Sequence, residues 1–155
     1  MTEKAFQDSY PDAWAQCYGC GRLNEEGLHI RSFWDGDETV CTFTPRPYHT
    51  AIPGFVYGGL LASVIDCHST GSAAAAIARL EGRPLDAEPP IRCVTASLRV
   101  EYLRPTPIAG PLVLRSRIVE VAPRKAVIAT DLSVDDVVCV RGEVVAVRLT
   151  DRPTG

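Results

Sequence analysis

The sequence predicts an α+β fold, in which an antiparallel sheet of about six strands wraps around one long central helix. Three observations support this prediction. One helical stretch is apolar on every side, β-rich runs precede and follow it, and no strand–helix–strand pattern repeats. A helix that is apolar all round belongs in a core, and the missing repeat argues against a doubly wound parallel sheet. The 155 residues suffice for one domain, residues 1–155, with a sizeable core.

The helix is predicted between Pro53 and Gly82, with a glycine-rich turn at its start. Alanine and leucine, which have high helix propensity, fill most of it. Arg79, Gly82 and Pro84 mark its end, because a cation in the last turn, a left-handed glycine and a following proline are typical stop signals. We expect its length and polar interruptions to exclude a membrane span.

The predicted strands lie on both sides of this helix. Residues 28–34 and 39–44 form a hairpin with a turn at Asp-Gly-Asp, and four further strands cover residues 91–103, 112–121, 126–134 and 137–149. In the first of these four, strict alternation places Val94, Leu98 and Tyr102 on one face and Thr95 on the other. Residues 1–16 form an arm with a short helix near residues 12–16, and residues 150–155 form a frayed tail.

Composition limits the function classes. The net charge of −3 and a pI near 5.6 leave no electrostatic footprint for nucleic acid. The first ten residues lack the apolar core of a signal peptide, so we expect a cytoplasmic location without membrane association. The six cysteines are then expected to be reduced thiols rather than a disulfide framework.

Two of these cysteines, Cys17 and Cys20, form a Cys-x-x-Cys pair followed by glycine. Zinc requires four ligands, and the sequence contains no second pair of this kind, so no metal site is predicted. The favoured interpretation is a tight loop whose thiols pack inward. Cys67 is predicted to be an inert buried thiol, and His68 a packed interface or core histidine on the side of the helix roughly opposite to Asp66.

Asp66 conflicts with its apolar helix, because aspartate is rarely buried unless it is paired or used in chemistry. Thr70 lies one turn further on and shares its face. Gly58 and Gly59 lie at the helix start, where unpaired N–H groups and the helix dipole can stabilise a developing oxyanion. Along a helix, these glycines are about 12 Å from Asp66.

At this point the chain resembles the hotdog-fold acyl-CoA thioesterases of the 4-hydroxybenzoyl-CoA and phenylacetate-pathway (PaaI-like) type, over nearly its whole length from residue 17 to about 148. The Cys-x-x-Cys-Gly loop with the later Gly27-Leu28 matches one family motif. Residues 54–59, Gly-Phe-Val-Tyr-Gly-Gly, match a second, with Tyr57 replacing the usual histidine. Residues 95–105, Thr-Ala-Ser-Leu-Arg-Val-Glu-Tyr-Leu-Arg-Pro, match a third.

The resemblance implies hydrolysis of a thioester to a free acid and CoA. Asp66, eight residues after the first glycine of the pair, would be the general base or the nucleophile. The backbone N–H of Gly58 or Gly59 would bind the thioester oxygen, and Thr95 or Thr70 would position water. The site would lie at a dimer interface, with Asp66 and Thr95 from different subunits.

Further residues are candidates for substrate binding. Tyr57 could donate its hydroxyl in place of the family histidine, and His49 lies in the loop before the helix. Arg104, Arg124 and Lys125 could bind the CoA phosphates. Coenzyme A is part of the substrate, and no separate cofactor is expected. The open sheet predicts self-association, without separating a dimer from a dimer of dimers.

Two alternatives remain open at the level of sequence. One is a hotdog dehydratase or hydratase, because His49 before Pro53 resembles its histidine loop, although its paired acid would fall near Ser63. The other is a non-catalytic acyl-CoA binding module, which the replacement of the histidine by Tyr57 keeps open. The sequence does not identify the acyl group.

Overall fold

The computed structural model describes residues 3–150. One long helix packs against a six-stranded antiparallel sheet, in the strand order β1-β2-β4-β5-β6-β3. This arrangement confirms the predicted hotdog fold. After two short 3-10 turns at Phe6–Ser9 and Asp12–Trp14, the elements are β1 (Ser32–Asp35), β2 (Glu38–Phe43), α1 (Gly58–Leu80), β3 (Cys93–Tyr102), β4 (Leu112–Ala122), β5 (Lys125–Val134) and β6 (Val137–Arg148).

Helix α1 is the centre of the core, and sixteen of its 23 residues are buried. Its alanine-rich second half presents little side-chain bulk, so the sheet approaches closely. Gly142 of β6 serves the same purpose, because a Cβ there would lie 2.6 Å from Cγ2 of Ile65. The helix ends as predicted, with Gly82 in the left-handed conformation at φ 65°.

The expectation that the length and polar interruptions of the helix exclude a membrane span was wrong. By length and composition, α1 is long and apolar enough to cross a membrane. Within the fold, however, 83% of its most apolar stretch is buried, as in the core helix of a globular domain. The apolar composition of α1 therefore reflects its burial in the core, and its length does not distinguish it from a membrane span.

Strand β1 begins four residues later than predicted, at Ser32. The preceding residues pair with the cysteine loop: Leu28 N–H donates to the Tyr18 carbonyl at 2.8 Å, and Ile30 N–H donates to the Gly19 carbonyl at 3.0 Å. These backbone bonds attach the loop to the entrance of the sheet.

Strand β3 forms one edge of the sheet, and a β-bulge interrupts its alternation. The register with β6 shifts between Thr95 and Ser97. The prediction that Thr95 faces away from Tyr102 was therefore wrong. The side of β3 that faces the helix carries Thr95, Val100 and Tyr102. Thr95 contacts Asp66 and Tyr102 contacts Gly58, while Val100 packs against the hydrophobic core. A bulge re-aims a side chain in this way because it inserts one extra residue.

His68 is a fully buried core residue, as predicted. Its Nδ1 pairs with the Ser32 hydroxyl at 2.8 Å, and its Nε2 lies 3.4 Å from the Thr39 hydroxyl. Gln7 completes this polar network by donating to Ser32 at 3.0 Å. Burial lowers the pKa of His68 to about 3, so the imidazole is neutral in the folded protein.

This buried histidine predicts an acid-sensitive stability. Below a pH of about 6.5 the unfolded chain binds a proton that the native imidazole does not, so the free energy of unfolding falls as the pH falls toward about 3. The slope from this group approaches about 1.4 kcal/mol per pH unit. In urea unfolding from pH 7.5 to 4.5, the His68→Asn variant should be less stable at neutral pH and have a shallower dependence.

The control is His29→Asn, which removes an exposed histidine. It should retain the pH dependence of the wild type. Equal slopes for wild type and His68→Asn would contradict the account of a buried neutral imidazole.

Candidate active site

Asp66 and Thr95 form the centre of the candidate site. Asp66 lies half-buried on α1, and the Thr95 hydroxyl donates a hydrogen bond to its Oδ1. The expectation that these residues come from different subunits was wrong, because one chain brings them into contact. The bulge in β3 is the reason, since it turns Thr95 toward the helix. The hydrogen bond orients the carboxylate, and within residues 3–150 no group donates a hydrogen bond to Oδ2.

The start of α1 supplies donors for an oxyanion. The first two helical residues are Gly58 and Gly59, preceded by Tyr57 in an extended conformation. Within residues 3–150, no group accepts a hydrogen bond from either glycine N–H. Both groups lie at the positive end of the helix dipole, which favours a negative ligand. These N–H groups are available to a ligand, and their role as oxyanion donors stays a prediction.

The Tyr57 ring covers this turn. A Cβ at Gly59 would lie 2.4 Å from Cε1 of the ring, so glycine is what permits the close approach. Tyr57 remains 58% exposed. Tyr57 thus lies beside the predicted oxyanion donors, where the sequence motif placed it.

Tyr102 is a site residue whose role the sequence analysis missed. Its hydroxyl donates to the Gly58 carbonyl at 2.7 Å and so ties the end of β3 to the start of α1. Partial burial, followed by the neighbouring Tyr57, raises the pKa of Tyr102. The motif in residues 95–105 contained this tyrosine, but nothing in the sequence indicated its partner.

Gly58 and Asp66 lie in the same helix, eight residues apart. At 1.5 Å per residue they are separated by about 12 Å along the axis. A thioester carbonyl bound at Gly58 is therefore out of reach of a water held by Asp66 of the same chain.

Two other hydroxyls on the helix form local bonds. The Thr70 hydroxyl donates to the Cys67 carbonyl at 3.2 Å rather than to Asp66. The Ser63 hydroxyl donates to the Gly59 carbonyl at 2.8 Å. Neither group has a hydrogen bond to the candidate carboxylate, and Ser63 offers no acidic proton at the position that a dehydratase would require.

His49 lies close to the helix start through its backbone. Its carbonyl accepts the Tyr57 N–H at 2.9 Å, and its Nδ1 accepts the Arg46 N–H at 2.9 Å. Partial burial, and then the charge of Arg46, lower the pKa of His49 below its usual value. The ring is therefore mostly neutral at pH 7, with Nδ1 engaged by the backbone.

The three predicted phosphate-binding cations are not brought together in one chain. Arg104 follows the end of β3, whereas Arg124 lies in the turn between β4 and β5 and Lys125 begins β5, beside the start of β3. The length of β3 separates these positions by roughly 25–30 Å. All three are exposed, and Lys125 has a partner in Glu120 at 3.8 Å. They do not form one binding patch within a chain.

Cys67, the helix residue that directly follows Asp66, belongs to a group of three thiols. The sulfur atoms of Cys17, Cys20 and Cys67 all lie within 4.8 Å of one another. Hydrogen bonds from the Cys20 and Cys67 thiols lower the pKa of Cys17 below its usual range. Cys67 is buried as predicted, but the sequence analysis did not place it against the Cys-x-x-Cys loop, because 50 residues separate the two.

Comparison with known proteins identifies the family. The family model described as "Thioesterase superfamily" matches residues 53–139, which contain the glycine turn, Asp66, Thr95 and Tyr102. The chain belongs to the thioesterase superfamily.

Solved structures agree with this assignment. A thioesterase superfamily protein from Shewanella loihica PV-4 is 45% identical, with a TM-score of 0.68, and the match covers 91% of this chain and 100% of that one. The PaaI protein of the E. coli phenylacetic acid degradation operon is 14% identical, with a TM-score of 0.63, over 79% of this chain and 81% of that one. The second likeness shows the fold alone.

Among curated proteins, acyl-coenzyme A thioesterase THEM4 of Bos taurus is 28% identical over 129 residues, which is 74% of this chain and 48% of that protein. THEM4 of Xenopus laevis is 31% identical over 86 residues, which is 56% of this chain and 33% of that protein. The chain thus spans about half or less of the length of the curated relatives it matches.

The contact between Tyr102 and Gly58 predicts a measurable contribution to stability. Tyr102→Phe removes one hydrogen bond to a backbone carbonyl, and we expect a loss of about 0.5–1 kcal/mol in the free energy of unfolding. The expected loss in the free energy of unfolding is small because Tyr102 is 53% exposed. Urea denaturation measures this difference. Tyr48→Phe, at a tyrosine that is 72% exposed, is the control, and equal effects in the two variants would contradict the assignment.

Proposed function

We propose that this chain is an acyl-CoA thioesterase, with Asp66 as the general base or the nucleophile. The observation that carries the proposal is the half-buried Asp66 carboxylate, which Thr95 orients on a helix that the core holds rigidly. Membership of the thioesterase superfamily and the name of the curated relatives support the same reaction class.

In the general-base mechanism, a water molecule bound to Oδ2 of Asp66 attacks the thioester carbonyl carbon and transfers its proton to the carboxylate. The carbonyl oxygen becomes an oxyanion, which glycine N–H groups at a helix start stabilise. The carbon–sulfur bond then breaks, and the CoA thiolate leaves with the proton from Asp66. A general base typically contributes about 10²–10⁴-fold, and one oxyanion donor about 10²–10³-fold.

In the nucleophilic mechanism, Oδ2 attacks the carbonyl carbon directly, and the CoA thiolate leaves to give a mixed anhydride. Water then hydrolyses the anhydride and regenerates the carboxylate. The hydrogen bond from Thr95 suits both routes, because it holds one carboxylate oxygen and leaves the other toward the substrate.

We infer that the working site needs a second copy of the chain. A base and an oxyanion donor must lie close to the same carbonyl, but Asp66 and Gly58 of one chain are separated by about 12 Å. If the α1 helices of two subunits lie antiparallel across an interface, the Gly58 and Gly59 N–H groups of the partner subunit can lie close to Asp66. Within the described residues, a cavity of about 490 Å³ near the end of α1 is lined by neither Asp66 nor Thr95.

The outer edge of β3 is the surface that fits this second copy. Within the described part of the chain, no strand pairs with this edge, although β3 is ten residues long. Val94 and Leu98 are each 39% exposed and Tyr102 is 53% exposed along it. A long unpaired edge favours pairing with another strand, and pairing here would enclose Asp66 and Thr95.

The direct test is thiol release from a panel of short, medium, long and aryl acyl-CoAs. Wild type should hydrolyse at least one of them, and Asp66→Asn should lower kcat/KM at least about a hundredfold because the variant lacks a base and a nucleophile. Thr95→Val should cause a smaller loss of about tenfold, since it removes one hydrogen bond to the carboxylate. Asp37→Asn, at an exposed hairpin, is the control.

Binding of acyl-CoA without turnover in wild type would contradict the enzyme proposal and favour a binding module, the role that Tyr57 in place of histidine leaves open. Turnover that survives in Asp66→Asn would keep the reaction class but move the chemistry away from this carboxylate. The next variant would then be His49→Asn.

A further inference from the structure

The three-thiol cluster of Cys17, Cys20 and Cys67 joins two distant parts of the chain. Cys17 and Cys20 belong to the loop before β1, and Cys67 lies on α1 directly after Asp66. The three sulfur atoms lie within 4.8 Å of one another. Cys20 and Cys67 are buried, whereas Cys17 is only partly buried and gives the cluster one side open to solvent.

The loop is shaped to hold its sulfur atoms in these positions. The Gly21 N–H donates to the Cys17 carbonyl at 2.7 Å and closes a tight turn around the pair. Gly19 also allows the helix to approach, because a Cβ there would lie 2.2 Å from the Cys67 sulfur atom.

The spacing of the sulfur atoms suits ligands of one metal ion. The Cys17 and Cys67 sulfur atoms are 3.8 Å apart. Two thiolates bound to one tetrahedral zinc ion at about 2.3 Å are themselves separated by roughly 3.8 Å.

The charges around the cluster also favour a bound metal ion. Three thiolates around a divalent cation leave one negative charge, which would be costly to bury without compensation. The Arg92 guanidinium donates to the Cys20 sulfur atom at 3.8 Å and stacks on the Tyr10 ring at 4.2 Å. Its positive charge therefore lies against the cluster, in the position of an outer-shell partner of a metal ligand.

We propose that Cys17, Cys20 and Cys67 bind one thiophilic divalent metal ion, with Zn²⁺ as the first ion to test. Thiolates select zinc and other soft ions over magnesium or calcium. Within residues 3–150, no fourth histidine, cysteine or carboxylate belongs to the cluster, so water completes the coordination at the solvent side of Cys17. Binding displaces the remaining thiol protons into solvent.

The metal would have a structural role. It would cross-link the loop before β1 to the residue next to Asp66, and so fix the helix register at the candidate carboxylate. Sequence analysis predicted no metal because two ligands are too few, and Cys67 is the third ligand that the fold supplies. This proposal does not depend on the thioesterase proposal, since it concerns different atoms and a different ligand.

The test uses the full chain, reduced and freed of metal, and titrated with Zn²⁺ against a chromogenic chelator and separately with Cd²⁺. Wild type should bind one ion per chain, and Cd²⁺ should produce the ultraviolet charge-transfer absorption of thiolate ligands. Cys17→Ser and Cys67→Ser should each remove most of this absorption. Arg92→Gln should weaken affinity by about 10–100-fold while retaining the absorption.

Cys139→Ser is the matched control, because it removes a buried thiol outside the cluster and should bind like wild type. Circular dichroism checks folding, and if Cys67→Ser does not fold, the partly exposed Cys17 decides the outcome through Cys17→Ser. Wild type that binds no more tightly than Cys17→Ser would overturn the proposal. A Cys17–Cys20 disulfide in the purified protein, with no metal uptake after reduction, would overturn it in favour of a redox pair.

Discussion

The structure depends on the burial of one helix that is apolar on every side. Such a helix is stable only when other elements cover most of its surface, and the six-stranded sheet packs against it. Leu60, Leu61, Val64, Ile65 and Ile77 each contribute about 1.5–3 kcal/mol by burial. The alanine run and Gly142 reduce the distance between layers, so the helix is held in one register.

That constraint explains the position of the candidate chemistry. Burying an unpaired carboxylate on a fully covered helix would be costly. Asp66, however, points toward β3, the edge strand of the sheet, where the sheet covers the helix incompletely. The bulge in this strand turns Thr95 toward the carboxylate and satisfies one of its oxygens. In the part of the chain that the structure describes, no strand pairs with the edge of β3 beside them.

Local patterns in the sequence predicted the helix, its glycine cap and five of the six strands closely, because propensity, turn residues and stop signals act over short distances. The features that sequence analysis missed depend on long-range pairing. The late start of β1 follows from hydrogen bonds to the cysteine loop, and the orientation of Thr95 follows from a bulge against β6. Likewise, only the folded chain brings Cys67 to Cys17 or Tyr102 to Gly58.

Under our proposal, the carboxylate and the oxyanion donor of one site come from two subunits. Gly58→Pro tests it, because Gly58 is the first helical residue, where proline is tolerated, and its N–H is the group removed. Tyr57 already has the extended conformation that precedes proline. Gly58→Pro and Asp66→Asn should each be nearly inactive alone, and unfolding and refolding them together should restore about a quarter of wild-type activity, since half of the random dimers hold one intact site. No recovery in mixed dimers would contradict the account.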